Sequence, residues 1–442
     1  MSRAALALFL GLSLSCASIA QRDAETAAQL VPHAHPVTGS NGDYDALLDA
    51  IGDASLVLLG ESTHGTREFY LERARITRRL IEEKGFTALA LEADWSDAAR
   101  IDRYVRGEGS DRSAVDSLAG FQRFPRWIWR NREVADLVEW IHAHNASLPP
   151  EATRVGVYGI DLFGLGGSIE QVVSQLRRVD EAAADEAENR YRCFTPSERD
   201  DPLAYGRAAA QRTRRSCAEA ANAQLDAVRA LRSKAIDAVE LDLLFDAEQN
   251  ARVVRSAEEY FREEARGVVS TWNLRDRHMA ATLAALQKEL ARQGGGDRIA
   301  VWAHNSHTGD ARATQRAGIG EWSLGQLVRE HWDRTRSFSV GLMTDTGKVI
   351  AAAHWNGRPD VKALRPSIGG SHGALLNAVG LPAFYLILDE APAANEPRPQ
   401  RFIGAIYRPE DERRSHYVRT RLSEQFDAVI HLDTTTGVEP LD

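Results

Sequence analysis

The sequence is poor in cysteine, in long apolar runs and in excess positive charge. Only three cysteines occur in 442 residues, and no Cys–His spacing of the zinc-finger kind is present. Past the first twenty residues, no apolar stretch is long enough to cross a bilayer as a helix. The formal charge of −9 argues against a general binder of nucleic acid or anionic membrane. Arginine is common, but it is interleaved with acids, as on solvated helix faces with i,i+4 pairs. Internal repeats are missing too.

What remains is ordinary globular composition, 43% hydrophobic and 26% charged. Such a length suggests one large α/β domain with an insertion, or two domains. The N-terminus reads as a targeting segment: Arg3, an apolar run over Ala4–Leu14, then Ser18-Ile19-Ala20 ahead of Gln21. We expect a signal peptide at residues 1–20, cleaved after Ala20, and hence a periplasmic or secreted protein. Lipidation at Cys16 is the competing reading, although Ser13 stands where a lipidation site expects an apolar residue. Cleavage leaves Cys193 and Cys217, and export makes a disulfide between them plausible. Two free thiols are the alternative.

Short apolar runs of strand length occur at Leu56–Leu59, Ala88–Leu91, Val155–Tyr158, Ile299–Ala303, Phe338–Leu342, Phe384–Leu388, Ile403–Tyr407 and Ala428–Leu432. Most are continuous rather than alternating, as in strands buried on both faces. Helical stretches at Leu71–Lys84, Ala98–Val105 and Asn131–His144 separate the early ones. This βαβ alternation predicts an α/β fold with a mostly parallel sheet flanked by helices. From residue 168 to 293 long Ala-, Glu- and Arg-rich segments take over (Glu170–Asn189, Tyr205–Ser233, Leu241–Ala265, Leu274–Arg292), with little glycine or proline. The expected organisation is a catalytic core over 21–167, a large helical insertion over 168–293, and the rest of the core over 294–442.

The most informative stretch is Leu56-Val57-Leu58-Leu59-Gly60-Glu61-Ser62-Thr63-His64-Gly65. A buried strand, a tight glycine turn and a helix start present side chains at the carboxyl end of a parallel sheet. There Glu61 and His64, three residues apart, can hydrogen-bond, and a carboxylate-held imidazole is a better base near neutral pH. In isolation the pair would read as helix capping. Three more predicted strands, however, end in chemistry: Glu92, with Asp94 and Trp95, after Ala88–Leu91; Asp161 after Val155–Tyr158; His304 and His307 after Ile299–Ala303. Such converging ends are how an active cleft of this fold class looks in sequence. Arg73, nine residues after His64, either reaches back to the cleft or lies on a solvated helix face.

These residue types suit hydrolysis by activated water: one imidazole takes the proton, a second imidazole or an arginine stabilises the oxyanion. Gly369-Gly370-Ser371-His372-Gly373 matches a serine elbow literally, but Arg365-Pro366-Ser367 precedes it instead of a strand. The histidines and acids include zinc-ligand types, so a metal-dependent hydrolase stays open, though no metal or cofactor is expected. Gly164-Leu165-Gly166-Gly167 is too weak a match for dinucleotide binding.

As an ordered set these residues resemble the erythromycin esterase family. The resemblance rests on Gly60-Glu61-Ser62-Thr63-His64-Gly65, Phe69, Arg73, Glu92, Trp127-Ile128-Trp129-Arg130-Asn131, Gly159-Ile160-Asp161, Asn273 to Ala280, Ala303 to His307, Phe426 to His431 and Val438 to Leu441. It runs over nearly the whole mature chain. It implies water-mediated hydrolysis of an ester or macrolactone, with His64 as general base and Glu61 orienting it or its water. Arg73, Glu92, His304 and His307 complete the implied catalytic set, and Arg275, Asp161 and Trp95 the implied substrate-binding set. Around His372 the chain departs from the family pattern, where an acid is expected, so the chemistry carries over better than the antibiotic. The partner expected is a small-molecule ester or lactone, with no nucleic acid, and no membrane unless Cys16 is lipidated. A non-catalytic periplasmic binding protein is the reading from a different class.

Overall fold

The computed structural model describes residues 19–264 and 270–441. Most of the expected signal segment, residues 1–18, lies outside the described residues, as does Cys16. In chain order the strands are β1 (His35–Pro36), β2 (Leu56–Leu59), β3 (Ala88–Asp94), β4 (Gly156–Asp161), β5 (Ile299–Trp302), β6 (Ser337–Ala351), β7 (Asp360–Leu364), β8 (Ala383–Ile387), β9 (Arg398–Arg401), β10 (Tyr417–Thr420) and β11 (Ala428–Thr435). The fold is the mixed α/β architecture expected, with central strands mostly parallel and helices packed on them. Two compact units are formed, one within Met1–Lys84, Arg123–Val134 and Trp302–Asp442, the other within Gly85–Gln122 and Ala135–Val301.

In the first unit the strands run in the order β1-β8-β11-β6-β2, with β7 also on β6. β6 is the spine: β2 pairs with it in parallel, Leu59 opposite Val340, and β11 does so on its other side, Ala428 opposite Val340. β8, β1 and β7 are added antiparallel. All four residues of β2 are buried, which is why the run is continuously apolar. After the turn, the helix Arg67–Lys84 buries Phe69, Tyr70, Arg73, Ile76, Thr77 and Leu80, a three-to-four spacing that marks one face. Gly85, at φ +69°, ends it.

In the second unit β5 lies beside β3, and β3 pairs in parallel with β4, Leu91 opposite Gly159. The register shifts between Leu91 and Asp94, which pairs with Asp161. Glu92 and Asp161 thus both come at the carboxyl ends of neighbouring strands. The helices Trp95–Val105 and Ser270–Arg292 pack on β4. Between Leu165 and Arg292 helix follows helix, with no strand among the described residues. Their apolar faces meet in a core that includes Val172, Leu176, Tyr191, Phe194, Tyr205 and Val254, each such side chain contributing about 1.5–3 kcal/mol on burial. Cys193 and Cys217 are disulfide-bonded, Cα atoms 5.8 Å apart.

Three local expectations need correction. Ile403–Tyr407 is not a strand: Ile403 and Ile406 each make one isolated bridge, to Thr63 and Ala352, so the segment is buried by two separate anchors rather than by a ladder. The run at Phe338–Leu342 is only part of β6, which continues through the more polar Thr344–Lys348 to Ala351 and there pairs with β7. The long segment Glu170–Asn189 is helical but not continuous: it breaks at Asp180, whose carboxylate accepts from Ala183 N–H and caps a new helix, Glu181–Tyr191.

Candidate active site

The turn after β2 exists because two of its positions accept no side chain. A Cβ on Gly60 would lie 2.0 Å from Asn305 Oδ1 and 2.6 Å from Thr308 Oγ1, and one on Gly65 would lie 1.9 Å from the Ile350 carbonyl oxygen. Both sites need glycine for close approach. Asn305 locks the turn from the other side: its N–H donates to Glu61 O at 2.8 Å and its Nδ2 to Leu342 O at 2.9 Å. Gly65 O accepts from the N–H groups of Ile350 and Val438.

Inside this frame Glu61 is 1% exposed and fully engaged. His64 Nδ1 lies 2.8 Å from its Oε1, and Arg73 Nη2 donates to its Oε2 at 2.7 Å. The two readings of Arg73 are thereby decided for the inward one: it is 0% exposed, and its guanidinium also lies over the rings of Tyr70 and Trp302, 4.6 and 4.4 Å from their centroids. Its remaining nitrogens, Nε and Nη1, find no hydrogen-bond acceptor in this aromatic slot. With Nδ1–H given to the carboxylate, the neutral His64 ring carries its lone pair on Nε2. The ring sits 4.8 Å from that of His304, centroid to centroid.

His304 is held differently. It caps the short turn Asn305–Thr308, its Nδ1 accepting from Ser306 N–H at 3.3 Å with Ser306 Oγ at 2.7 Å. An accepting Nδ1 puts the ring proton on Nε2. The two neighbouring imidazoles are therefore opposite tautomers, one with a lone pair on Nε2 and the other with a proton there. The Phe402 ring also neighbours that of His304, centroids 5.9 Å apart. His307 belongs to the same turn and is buried.

Three of the remaining predicted residues, Glu92, Asp161 and Arg275, form a second cluster in the second unit. Arg275 binds Asp161 through two bonds, Nε to Oδ1 at 2.9 Å and Nη2 to Oδ2 at 2.5 Å, and Nη2 also reaches Glu92 Oε1 at 2.6 Å. Burial alone would raise the Asp161 pKa, but the Arg275 charge and its bonds outweigh that and hold it below the usual carboxylate range. Burial would likewise depress Arg275, yet Asp161 and Glu92 keep it firmly cationic. Trp95 donates from Nε1 to Asp246 Oδ1 at 2.7 Å, and burial pushes that carboxyl's pKa up against this bond and one from Gln175. Four residues that shape these clusters went unassigned in sequence: Asn305, Phe402, Asp246 and His278. His278, one helical turn after Arg275, is pushed down to about 4 by burial, against the pull of Asp161. Its signal was its place in the Asn273 to Ala280 motif.

Ser371 is no nucleophile elbow. It follows a turn rather than a strand, is fully buried, and caps the helix His372–Asn377 by accepting from Ala374 N–H.

A carboxylate-held imidazole facing a second imidazole, on turns that follow buried strands, defines an α/β protein equipped for acid–base chemistry. The chain belongs to the erythromycin esterase family, a family of carboxylic ester hydrolases: the model of that family matches residues 81–435. The match takes in Glu92, Asp161, Arg275, His304 and His307, while Glu61, His64 and Arg73 precede it. Among curated proteins, "Erythromycin esterase type II" of Escherichia coli is 31% identical over 126 residues, 28% of each chain. The aligned part thus spans little more than a quarter of that relative. A solved structure from Bacillus cereus is 21% identical, TM-score 0.79, over 95% of this chain and 99% of that one. A succinoglycan biosynthesis protein gives 22% and 0.74, over 94% and 98%. A point variant of erythromycin esterase EreC in its open conformation gives 16% and 0.64, over 90% and 94%. At these identities the structural likeness shows the fold.

Proposed function

We propose that this chain is an exported ester hydrolase that activates water on His64. The observation that carries the reading is the Arg73–Glu61–His64 relay with His304 beside it. Arg73 occupies one oxygen of Glu61 and leaves the other for His64 Nδ1, so the imidazole is fixed in position and tautomer. Its Nε2 takes a proton from water as the water oxygen attacks the ester carbonyl. The carbonyl π pair moves to oxygen, and the Nε2–H of His304 stabilises the oxyanion. Collapse reforms the carbonyl, breaks the C–O bond to the leaving group, and returns the proton from His64 to the departing alkoxide. Carboxylic acid and alcohol result, and the His64–Glu61 pair is restored. His307 is a further imidazole on the His304 turn; on the family resemblance Glu92 belongs to the catalytic set, and Arg275, Asp161 and Trp95 are assigned to holding substrate.

The name of the Escherichia coli relative makes a macrolide lactone the first substrate to try. Export is supported by the residue 1–20 pattern and by the Cys193–Cys217 disulfide, a bond that persists in oxidising compartments. The test is hydrolysis of erythromycin, and of a panel of simple esters and lactones, by the mature chain with and without a chelator. The product is read as a mass gain of one water. His64→Ala is expected to lower turnover by about 10²–10⁴-fold with its circular dichroism unchanged. Equal turnover in His64→Ala refutes the assignment of the base, and turnover abolished by chelator in wild type moves the chemistry to a metal.

A further inference from the structure

The second unit carries a groove that shares no residue with either cluster. It has a volume of about 680 Å³, and the helices Leu165–Val179 and Glu181–Tyr191 supply most of its wall. Four arginines line it, Arg177, Arg178, Arg192 and Arg199, against two acids, Glu170 and Glu188. The charges are unevenly spent. Arg177 is neutralised by Glu188 at 2.9 Å. Arg199 donates only to backbone carbonyls, of Tyr191 and Phe194, which fixes its guanidinium without cancelling its charge. Arg178 touches the neutral amide of Gln175, and the Arg192 side chain makes no hydrogen bond or ion pair among the described residues. Three uncompensated guanidinium groups therefore face one exposed carboxylate in a chain whose net charge is −9.

A second feature points the same way. Tyr191, which lines the groove, is 0% exposed, and its hydroxyl has no hydrogen-bond partner. Burial pushes its pKa well up, so it remains a donor. An unpaired buried donor is unfavourable unless something accepts from it, and the other uncommitted side chains of the groove, Glu170 and the Ser174 hydroxyl apart, are donors only. Guanidinium forks match the paired oxygens of carboxylates and phosphates. The disulfide contributes by closing the loop that delivers Arg199, since Arg192 adjoins Cys193 and Arg199 lies between Cys193 and Cys217.

We propose that this groove is a binding site for a doubly charged oxyanion, a phosphate monoester or a dicarboxylate, held by Arg178, Arg192, Arg199 and the Tyr191 hydroxyl. The test is isothermal titration of the mature chain with inorganic phosphate and with succinate, against sodium chloride at matched ionic strength. The two anions tell phosphate from dicarboxylate. Saturable heat from at least one of them, absent for chloride, is expected. Arg192→Gln should weaken that binding about tenfold, and Tyr191→Phe should weaken it measurably without lowering the unfolding midpoint of the ligand-free chain, because its hydroxyl has no partner to lose. No saturable binding by either anion, or undiminished affinity in either variant, overturns the assignment.

Discussion

Replacing Arg73 by methionine separates the relay from the scaffold that carries it. Methionine keeps an unbranched apolar body in the slot between Tyr70 and Trp302, so cavity effects stay small. What is lost is charge. Glu61, 1% exposed, keeps its bond from His64 but loses the 2.7 Å bond and the cation that balanced it. Breaking a buried ion pair from one side costs about 3–5 kcal/mol, because an uncompensated charge stays behind. Loss of the two cation–ring contacts adds about 0.5–2 kcal/mol each. The magnitude therefore exceeds that of ordinary surface substitutions several-fold. Glu61 Oε2 also loses its restraint, so the carboxylate that positions His64 is no longer held from its other side, and turnover should fall by at least about 10²-fold. Chemical denaturation followed by circular dichroism, with ester hydrolysis on the same preparation, reads both quantities. Adding Glu61→Gln to the variant removes the stranded charge and should recover much of the stability without recovering turnover. If Arg73→Met is as stable and as active as wild type, or if the double variant is no more stable than the single, the relay is not the organising element of the site.

Two further perturbations probe the first unit's packing and the helical region. Burial pushes His372 down to about 4, below the roughly 6.5 of an unfolded histidine. Between those values the unfolded chain binds more protons, so this contribution to stability is complete above about pH 6.5 and is lost as pH falls through 4, amounting to about 2 kcal/mol by pH 5. His372 Nε2 lies 3.1 Å from Thr420 O; His372→Gln keeps a donor there but cannot charge, so its denaturation midpoint should fall less than wild type between pH 7 and pH 5, and an equal fall refutes this. Cys217→Ser opens a loop spanning a separation of 24 residues and should cost about 3 kcal/mol, read as a lowered midpoint that reductant reproduces in wild type but does not extend in the variant; a reductant-insensitive wild type would contradict it.

The parts of the fold legible in sequence are those where local signals and burial agree. Leu56–Leu59 is apolar on both faces because β2 is covered on both, and its bounds are recovered residue for residue. Ile403–Tyr407 has the same texture, but its buried residues answer to two separate neighbours, Ser62–Thr63 and Ala352, and texture cannot report who the neighbours are. β7 was missed for the converse reason: four of its five residues are at least partly exposed, and it exists only because β6 offers an edge. Asp180 is the instructive helix break. A lone aspartate in a helical run reads as a surface acid, and only its capping bond to Ala183 N–H makes it a terminus.

The site divides along the same line. Glu61 and His64 are three residues apart, so their bond could be anticipated from spacing. The approach of His64 to His304 depends on two turns being locked together by one residue, Asn305, which binds the Glu61 carbonyl with its N–H and the neighbouring strand with its amide. That lock explains why Gly60 cannot bear a side chain: the space a Cβ would take is already filled by Asn305 Oδ1. The glycine that reads in sequence as part of a tight turn is a clearance. It lets the His304 turn come close enough for two imidazoles to stand side by side, and the two different partners on their Nδ1 atoms, a carboxylate and a backbone N–H, then give them opposite tautomers. A base and an acid are made from one residue type by what each Nδ1 touches, which no spacing rule contains.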